Sequence, residues 1–211
     1  KYGDELGLVG FRATPLMEKL EVTDFSYQSK DQLAYLLSAR MLGDQPMQCH
    51  SDSFSQVNYG TIVYMKSAAA FEYLRQALGS DVFDVGMQAY FDTWKFKHPS
   101  PADLRTSLET ATGKDLSWFF DDIVQTTGHT NYALHGLKRQ GDEYTLRVQN
   151  RGDIAGPFSV SGQTGDSTWV EFGWYNGVMP GDVVVVPLPS KDETGLRFRQ
   201  FRLDEKEQML E

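Results

Sequence analysis

The sequence predicts an α+β fold in which an N-terminal helical bundle is followed by an antiparallel β-sandwich. Apolar residues recur at helical spacing up to about Thr130, and beyond it they alternate at period two between turns rich in Gly, Asn and Pro. The 211 residues are 40% hydrophobic and 23% charged, which is ordinary for a globular protein. We therefore expect a helical part over residues 1–130, a β-sandwich domain over 131–204 and a charged tail over 205–211.

Local end signals define the predicted helices. Ser100 begins a capping box, because its hydroxyl accepts from a first-turn N–H while Pro101 needs no partner there and Asp103 reaches back. Gly113 is expected to end that helix, and Ser80 is expected to cap another. Further helical segments are predicted over residues 2–20, 31–42, 59–78, 82–94 and 114–128, with an exposed loop over 43–58.

Strand candidates follow at close spacing, with no helix between them. In the fourth candidate, strict alternation puts Phe172 and Trp174 on one side and Trp169 and Tyr175 on the other. One side is expected to be core, and the other is a candidate sugar-stacking or protein-contact surface. The predicted strands cover residues 132–137, 144–149, 157–161, 169–175, 183–188 and 196–203.

The charge balance argues against several partners. Acidic residues outnumber basic ones 29 to 20, and the net charge of −9 would repel nucleic acid and anionic lipid. No apolar run is long enough for a signal peptide or a membrane helix. The single cysteine, Cys49, cannot form an internal disulfide and does not indicate a compartment. The localisation and the oligomeric state are left open.

The histidines do not have the spacing of a metal site. His50 beside Cys49 is interpreted as a solvated loop pair, and His129 and His135 as ordinary loop and strand residues. The sequence therefore predicts no metal ligands in this chain. Because it begins at Lys1 without an initiator methionine, we expect it to be a segment of a longer protein.

Glu109, Asp121 and Asp122 are candidates for a pair of catalytic carboxylates. Asp121 and Asp122 are adjacent on a predicted helix and diverge by about 100°, so they are interpreted as surface and cap residues.

Residues 64–79 read Tyr-Met-Lys-Ser followed by an amphipathic stretch that ends in Leu-Gly. This run resembles the zinc aminopeptidases of the aminopeptidase N family, the gluzincins, downstream of their H-E-x-x-H metal motif. The similarity continues in order through Asp103-Leu104, Gly113-Lys114-Asp115-Leu116, Trp118-Phe119-Phe120 and Gly128-His129-Thr130-Asn131-Tyr132. The first residues, 1–4, are similar to the segment shortly after the last zinc-ligating glutamate of that family.

The resemblance implies that the helical part is the helical half of a thermolysin-like catalytic domain. In this family a zinc-polarised water and a glutamate base hydrolyse the peptide bond next to a free N-terminus. Neither H-E-x-x-H nor the distal glutamate motif occurs in these residues. We therefore expect zinc and a peptide substrate for the intact parent, and an inactive, zinc-free fragment that depends on the upstream part of the same polypeptide.

Tyr64 is the one candidate catalytic residue, since it matches the tyrosine that donates a hydrogen bond to the tetrahedral intermediate in this family. A phenol suits that role because it stays protonated at neutral pH and carries no charge. Lys66, two positions on, points to a different face and is not a second donor. Ser67 departs from the glycine that many members have there.

Two other functions stay open from the sequence. The chain could be a non-catalytic module that presents Trp169 and Tyr175 to a glycan or a partner protein, with the helices as scaffold. It could also be a degenerate peptidase kept for structure. Substrate side-chain preference does not follow from these residues.

Overall fold

The structure is a computed structural model that describes residues 35, 37, 39–141, 143–189, 191, 195 and 197–204. The helical stretch predicted over 2–20, half of the one over 31–42 and the tail over 205–211 lie outside these residues. The chain divides into two compact units, residues 1–69 and 70–211. The predicted domain boundary near residue 130 is a different division, and it stays a prediction.

The first unit contains short helical segments. A π-helical turn spans Ala39–Gly43 and a 3-10 turn spans Ser51–Ser53. Helix α1, Gln56–Gly60, begins after Ser55, whose hydroxyl accepts from the Asn58 N–H at 3.1 Å. A π-helical segment, Thr61–Lys66, follows α1 directly. Helical structure thus starts before residue 59, because Ser55 supplies an N-cap inside the stretch predicted to be a loop.

Helix α2 spans Ser67–Leu78, α3 spans Ser80–Trp94, α4 spans Pro101–Thr112, and a π-helical segment spans Trp118–Val124. Among the described helices, none combines the length and the apolar character that a membrane crossing requires.

One predicted cap is wrong and another is confirmed. Ser80 is the first residue of α3 rather than its cap, and its hydroxyl accepts from Arg75 Nη1 at 2.5 Å. The capping box at Ser100 is present: Asp103 N–H donates to Ser100 Oγ at 3.4 Å, and Ser100 N–H donates to Asp103 Oδ2 at 2.8 Å. Gly113 ends α4 at a φ of 65°.

Helices α3 and α4 approach closely at Gly86. A Cβ at this buried glycine would lie 2.9 Å from Cδ2 of Leu108, which is fully buried on α4. In the same unit, Phe119 packs edge-on against Phe71 of α2 at 5.3 Å between ring centroids. Phe119 and Phe120 are both buried and belong to the core.

The strands are β1 Tyr132–Gln140, β2 Glu143–Asn150, β3 Phe158–Thr164, β4 Trp169–Tyr175, β5 Val183–Pro189 and β6 Phe198–Leu203. They form two three-stranded antiparallel sheets with the orders β1-β2-β5 and β4-β3-β6. Each of the predicted strands is present, with ends shifted by a few residues.

The two sheets pack face to face. The Tyr132 ring of β1 lies 4.6 Å from the Phe158 ring of β3, and the Tyr144 ring of β2 lies 5.1 Å from the Phe201 ring of β6, measured between centroids. These contacts join one sheet to the other, which defines a sandwich. The α+β prediction of helices followed by an antiparallel β-sandwich is confirmed.

A β-bulge changes the faces of β4. Val160 pairs with Gly173 and Ser161 with Glu171, so Phe172 has no partner of its own on β3. Phe172 packs on Phe198 in the sandwich core at 4.9 Å, whereas Trp174 faces away toward the helices. The predicted shared face of Phe172 and Trp174 is therefore wrong, because simple alternation does not allow for an extra residue.

Strand β3 is buried on both faces. Phe158 and Val160 face the other sheet, while Ser159 and Ser161, 4% and 2% exposed, lie on the opposite face. On that face Trp174, the cross-strand partner of Ser159, packs against the ring of Tyr73 on α2 at 5.7 Å. Helix, sheet and sheet thus form three layers within the second unit.

Candidate active site

Tyr64 lies on the segment Thr61–Lys66 with 63% of its surface exposed. Its ring packs edge-on against Tyr59, with 6.0 Å between centroids and 73° between ring planes. The catalytic candidate is thus a surface tyrosine whose ring is supported on one side.

The buried face of the same segment fixes the direction in which Tyr64 points. Ile62 is fully buried and Lys66 is 1% exposed, and these residues lie two positions before and two positions after Tyr64. Residues two apart on a helical segment lie on roughly opposite faces. Lys66 therefore lies on a different face from Tyr64, as the spacing predicts.

Lys66 is held by a buried ion pair. Its ammonium donates to Asp44 Oδ2 at 3.0 Å and to the Gln45 carbonyl oxygen at 3.3 Å. The same carboxylate oxygen accepts from the Tyr35 hydroxyl at 3.1 Å, and the other carboxylate oxygen accepts from the Gln45 N–H at 2.9 Å. The two charged side chains are 1% and 11% exposed. We call Tyr35, Asp44 and Lys66 the buried ion-pair cluster.

The cluster perturbs two pKa values. Burial lowers the pKa of the Lys66 ammonium, and the neighbouring Asp44 carboxylate opposes that shift. Burial, together with the charge of Asp44 and the hydrogen bond to it, raises the pKa of the Tyr35 phenol. In both groups burial disfavours the charged form, whereas the Asp44 carboxylate favours the protonated form.

Asp44 and Gln45 belong to the stretch predicted as an exposed loop, and that prediction is wrong for them. Gln45 donates through Nε2 to the Ser53 carbonyl at 3.0 Å, and its Oε1 accepts from Asn58 Nδ2 at 2.8 Å. The polar composition of this stretch predicted side chains in contact with solvent, but Gln45 forms hydrogen bonds with Ser53 and Asn58 instead. One sequence signal was available, because Lys66 lies four residues after Ile62 and hence on the buried stripe.

The described residues do not form a zinc site. Among them, no three His, Cys, Asp or Glu side chains are grouped so that they could hold a metal ion. His50 is exposed and lies 3.5 Å from Asp52, while the neighbouring Cys49 is half-buried. The donor set of the described residues does not fit zinc.

The remaining titratable candidates have local partners. Nδ1 of His129 lies 2.8 Å from Asp153. Arg105 lies between two carboxylates, since its Nε donates to Glu109 at 3.0 Å and its Nη1 to Asp121 at 2.7 Å. Glu109 also accepts from the Leu116 N–H at 3.1 Å, at the start of the last helical turns. The contacts of Arg105 and Glu109 join α4 to the Trp118–Val124 segment and to Leu116 just before it.

Burial and the adjacent Asp121 charge raise the pKa of Asp122. Glu109 and Asp121 each form an ion pair with Arg105 rather than with each other. His135 lies in a shallow cavity of about 290 Å³ at the β1 and β6 edges.

The two aromatic residues proposed as a contact surface each have a stacking partner. The Arg202 guanidinium lies 5.1 Å from the centre of the Trp169 ring, and the Tyr175 ring stacks on Phe158 at 5.7 Å. Tyr175 also borders a cavity of about 550 Å³ between the end of α2, the Trp118–Val124 segment and β4. Trp169 is not among the residues that line it.

Comparison with known proteins identifies the class of this protein. The model of the peptidase family M1 domain matches residues 17–123, just over half of the 211 residues. The chain therefore belongs to peptidase family M1, and the resemblance to the aminopeptidase N family is confirmed.

Curated relatives are aminopeptidases. Aminopeptidase N of Lactococcus lactis subsp. lactis is 32% identical over 80 residues, which cover 38% of this chain and 9% of that protein. Probable aminopeptidase 2 of Sulfurisphaera tokodaii is 28% identical over 114 residues, which cover 52% of this chain and 15% of that protein. The chain thus spans only a small part of the length of these relatives.

The fold is also found in a solved aminopeptidase. The crystal structure of Legionella pneumophila aminopeptidase A in complex with aspartic acid matches with a TM-score of 0.50 and 13% identity, over 77% of this chain and 21% of that one. At this identity the similarity shows the fold alone.

Proposed function

We propose that this chain is part of a zinc aminopeptidase and that Tyr64 donates a hydrogen bond to the oxyanion of the reaction. The intact parent would hydrolyse the peptide bond next to a free N-terminus. The observation that carries the proposal is the exposed Tyr64 side chain on a segment whose opposite face is fully buried. Membership of peptidase family M1 and the aminopeptidase relatives support it.

The chemistry requires a donor at a defined position. When water adds to the scissile carbonyl, negative charge develops on the carbonyl oxygen. An uncharged hydroxyl that is held in position stabilises this oxygen by donating a hydrogen bond to it. The Tyr59 ring packs against Tyr64 and restricts the directions in which the phenol points. The Tyr64 hydroxyl is thus exposed to a ligand while its ring is restrained.

The zinc ligands and the catalytic base would come from other parts of the parent sequence. The 211 residues contain no H-E-x-x-H motif, and the described residues offer no metal-binding group. We therefore propose that the chain by itself is inactive and takes up no stoichiometric zinc. Atomic absorption on the purified 211-residue chain tests this, and tight zinc at one equivalent would contradict it.

The test of Tyr64 is a Tyr64→Phe variant of the intact parent, assayed with a peptide substrate. We expect kcat to fall about 100- to 1,000-fold, because one oxyanion donor is lost, and KM to change little. Tyr90→Phe, which removes a hydroxyl from α3, is the matched control and should retain wild-type kcat. A wild-type kcat in Tyr64→Phe would rule out the proposed role.

The degenerate-peptidase alternative predicts a different result. A parent kept only for structure would show no hydrolysis of N-terminal peptide bonds before any substitution is made. Peptidase activity of the wild-type parent, abolished by a zinc chelator and restored by zinc, would therefore exclude it.

A further inference from the structure

The rotation of the segment Thr61–Lys66 about its own axis determines whether Tyr64 faces outward. A shift of one residue turns an α-helix by about 100° and a wider π-helical segment such as this one by less, and either turn would carry the phenol toward the protein. Apolar burial of Ile62 resists this rotation, but apolar contacts are not directional and tolerate neighbouring arrangements. A directional contact on the same face would specify the rotation more strictly.

Lys66 supplies that contact. Its ammonium is 1% exposed and lies 3.0 Å from a carboxylate oxygen of Asp44, 22 residues earlier in the chain. A buried ammonium without a partner is strongly unfavourable, so arrangements that move Lys66 away from Asp44 are penalised. Ion pairs of this kind contribute little to net stability and are best attested as determinants of register.

Asp44 is itself fixed. One carboxylate oxygen accepts from the Gln45 N–H and the other from the Tyr35 hydroxyl, in addition to Lys66. The Gln45 carbonyl oxygen accepts a second hydrogen bond from the Lys66 ammonium. The Asp44 carboxylate that accepts from Lys66 thus has a defined position. The Lys66 ammonium uses two of its three N–H donors in these contacts.

We propose that Lys66 and Asp44 are positioning residues for Tyr64: their buried ion pair sets the rotation of the segment Thr61–Lys66, so that the phenol of Tyr64 points at the substrate. This inference rests on the proposed catalytic function of Tyr64. Neither residue touches the substrate, and both act only through the direction of Tyr64.

The test is a double-mutant cycle in the intact parent, with kcat and KM as the measured quantities. Lys66→Met, which keeps the length of the side chain without its charge, is made in the wild-type and in the Tyr64→Phe background. We expect kcat to fall on the order of 100-fold in the wild-type background, with KM changed little, because the donor is misplaced. In the Tyr64→Phe background Lys66→Met should cause no further fall in kcat, since there is no hydroxyl left to position.

A general structural role gives a different pattern. If Lys66→Met lowers kcat by the same factor in both backgrounds, the positioning role is wrong while the role of Tyr64 stands. If Tyr64→Phe alone leaves kcat unchanged, both inferences are wrong. The exposed Lys138 on β1 provides the matched control, and Lys138→Met should leave kcat unchanged in either background.

A second variant keeps the test decisive if Lys66→Met does not fold. Asp44→Asn removes the charge and keeps one oxygen that can accept from Tyr35 and Lys66, while its NH2 group replaces the oxygen that accepts from the Gln45 N–H. It should lower kcat less than Lys66→Met does, and again only in the presence of the Tyr64 hydroxyl. An equal loss of kcat in both backgrounds would contradict the proposal.

Discussion

The hydroxyl of Tyr73 on α2 donates a hydrogen bond to the carbonyl oxygen of Pro157, next to the first residue of β3. The Tyr73 side chain is fully buried, and its ring also contacts Trp118 and Trp174 at 5.2 and 5.7 Å. One side chain therefore joins the helical layer to the sandwich through both a polar and an aromatic contact.

Tyr73→Phe should lower the free energy of unfolding by about 1 to 3 kcal/mol, because it leaves the carbonyl of Pro157 without this donor while the ring contacts remain. Urea unfolding of the 211-residue chain, followed by circular dichroism, measures the change. Tyr90→Phe on α3 is the control and should shift stability by less than about 0.5 kcal/mol. Equal stability of the two variants would show that the Tyr73 hydroxyl is dispensable.

Gly173→Ala should destabilise the chain by about 1 to 3 kcal/mol, because Gly173 in the β4 bulge has a φ of 116°, which is unfavourable for any residue with a Cβ. Among the described residues beyond its two chain neighbours, no atom lies within 4 Å of a Cβ built there, so the cost is one of backbone conformation. The thermal unfolding midpoint measures it.

Gly136→Ala on β1 is the matched control for this bulge. Gly136 has no positive φ, and the nearest atom to its Cβ position is Arg147 Cδ at 3.9 Å. Its substitution should be neutral or slightly stabilising. A similar loss in both variants would indicate that strand propensity, rather than the bulge, is responsible.

The capping box gives a pH dependence with a defined sign. Hydrogen bonds from the Ser100 hydroxyl and N–H lower the pKa of Asp103 in the folded state. Because the folded pKa lies below the unfolded one, the carboxylate contributes stability above the unfolded pKa, and this contribution is lost as pH falls through the folded pKa.

The measurement compares wild type with Asp103→Asn. The difference in their unfolding free energies should be constant from neutral pH down to about pH 4 and should shrink below it. A difference that persists unchanged at pH 2 would mean that the charge of Asp103 plays no part in the cap.

Local chemistry allowed much of the fold to be predicted. Ser100, Pro101 and Asp103 define a helix start without reference to any distant residue, and the capping box is present as predicted. The strands between Tyr132 and Leu203 follow from alternation and turn residues in the same way. The family could be recognised from the order of short runs around residues 64–79.

What could not be predicted depends on partners distant in sequence. Asp44 reads as a loop carboxylate until Lys66 is placed against it, and no local pattern relates two residues 22 positions apart. The bulge at Phe172 likewise arises from its pairing with β3, which period-two alternation does not contain. The position of Tyr64 on an exposed face required the buried neighbours to be known.

Ser159 and Ser161 lie on a face of β3 that is buried, like the opposite face of the same strand. A strand with two buried faces contributes to two cores at once, one shared with the other sheet and one shared with Tyr73 of α2 through the neighbouring Trp174. Loss of packing on either side exposes the same backbone to water. The helices from residue 70 onward and the sandwich should therefore unfold in a single cooperative transition, so that damage to one layer is transmitted to the other.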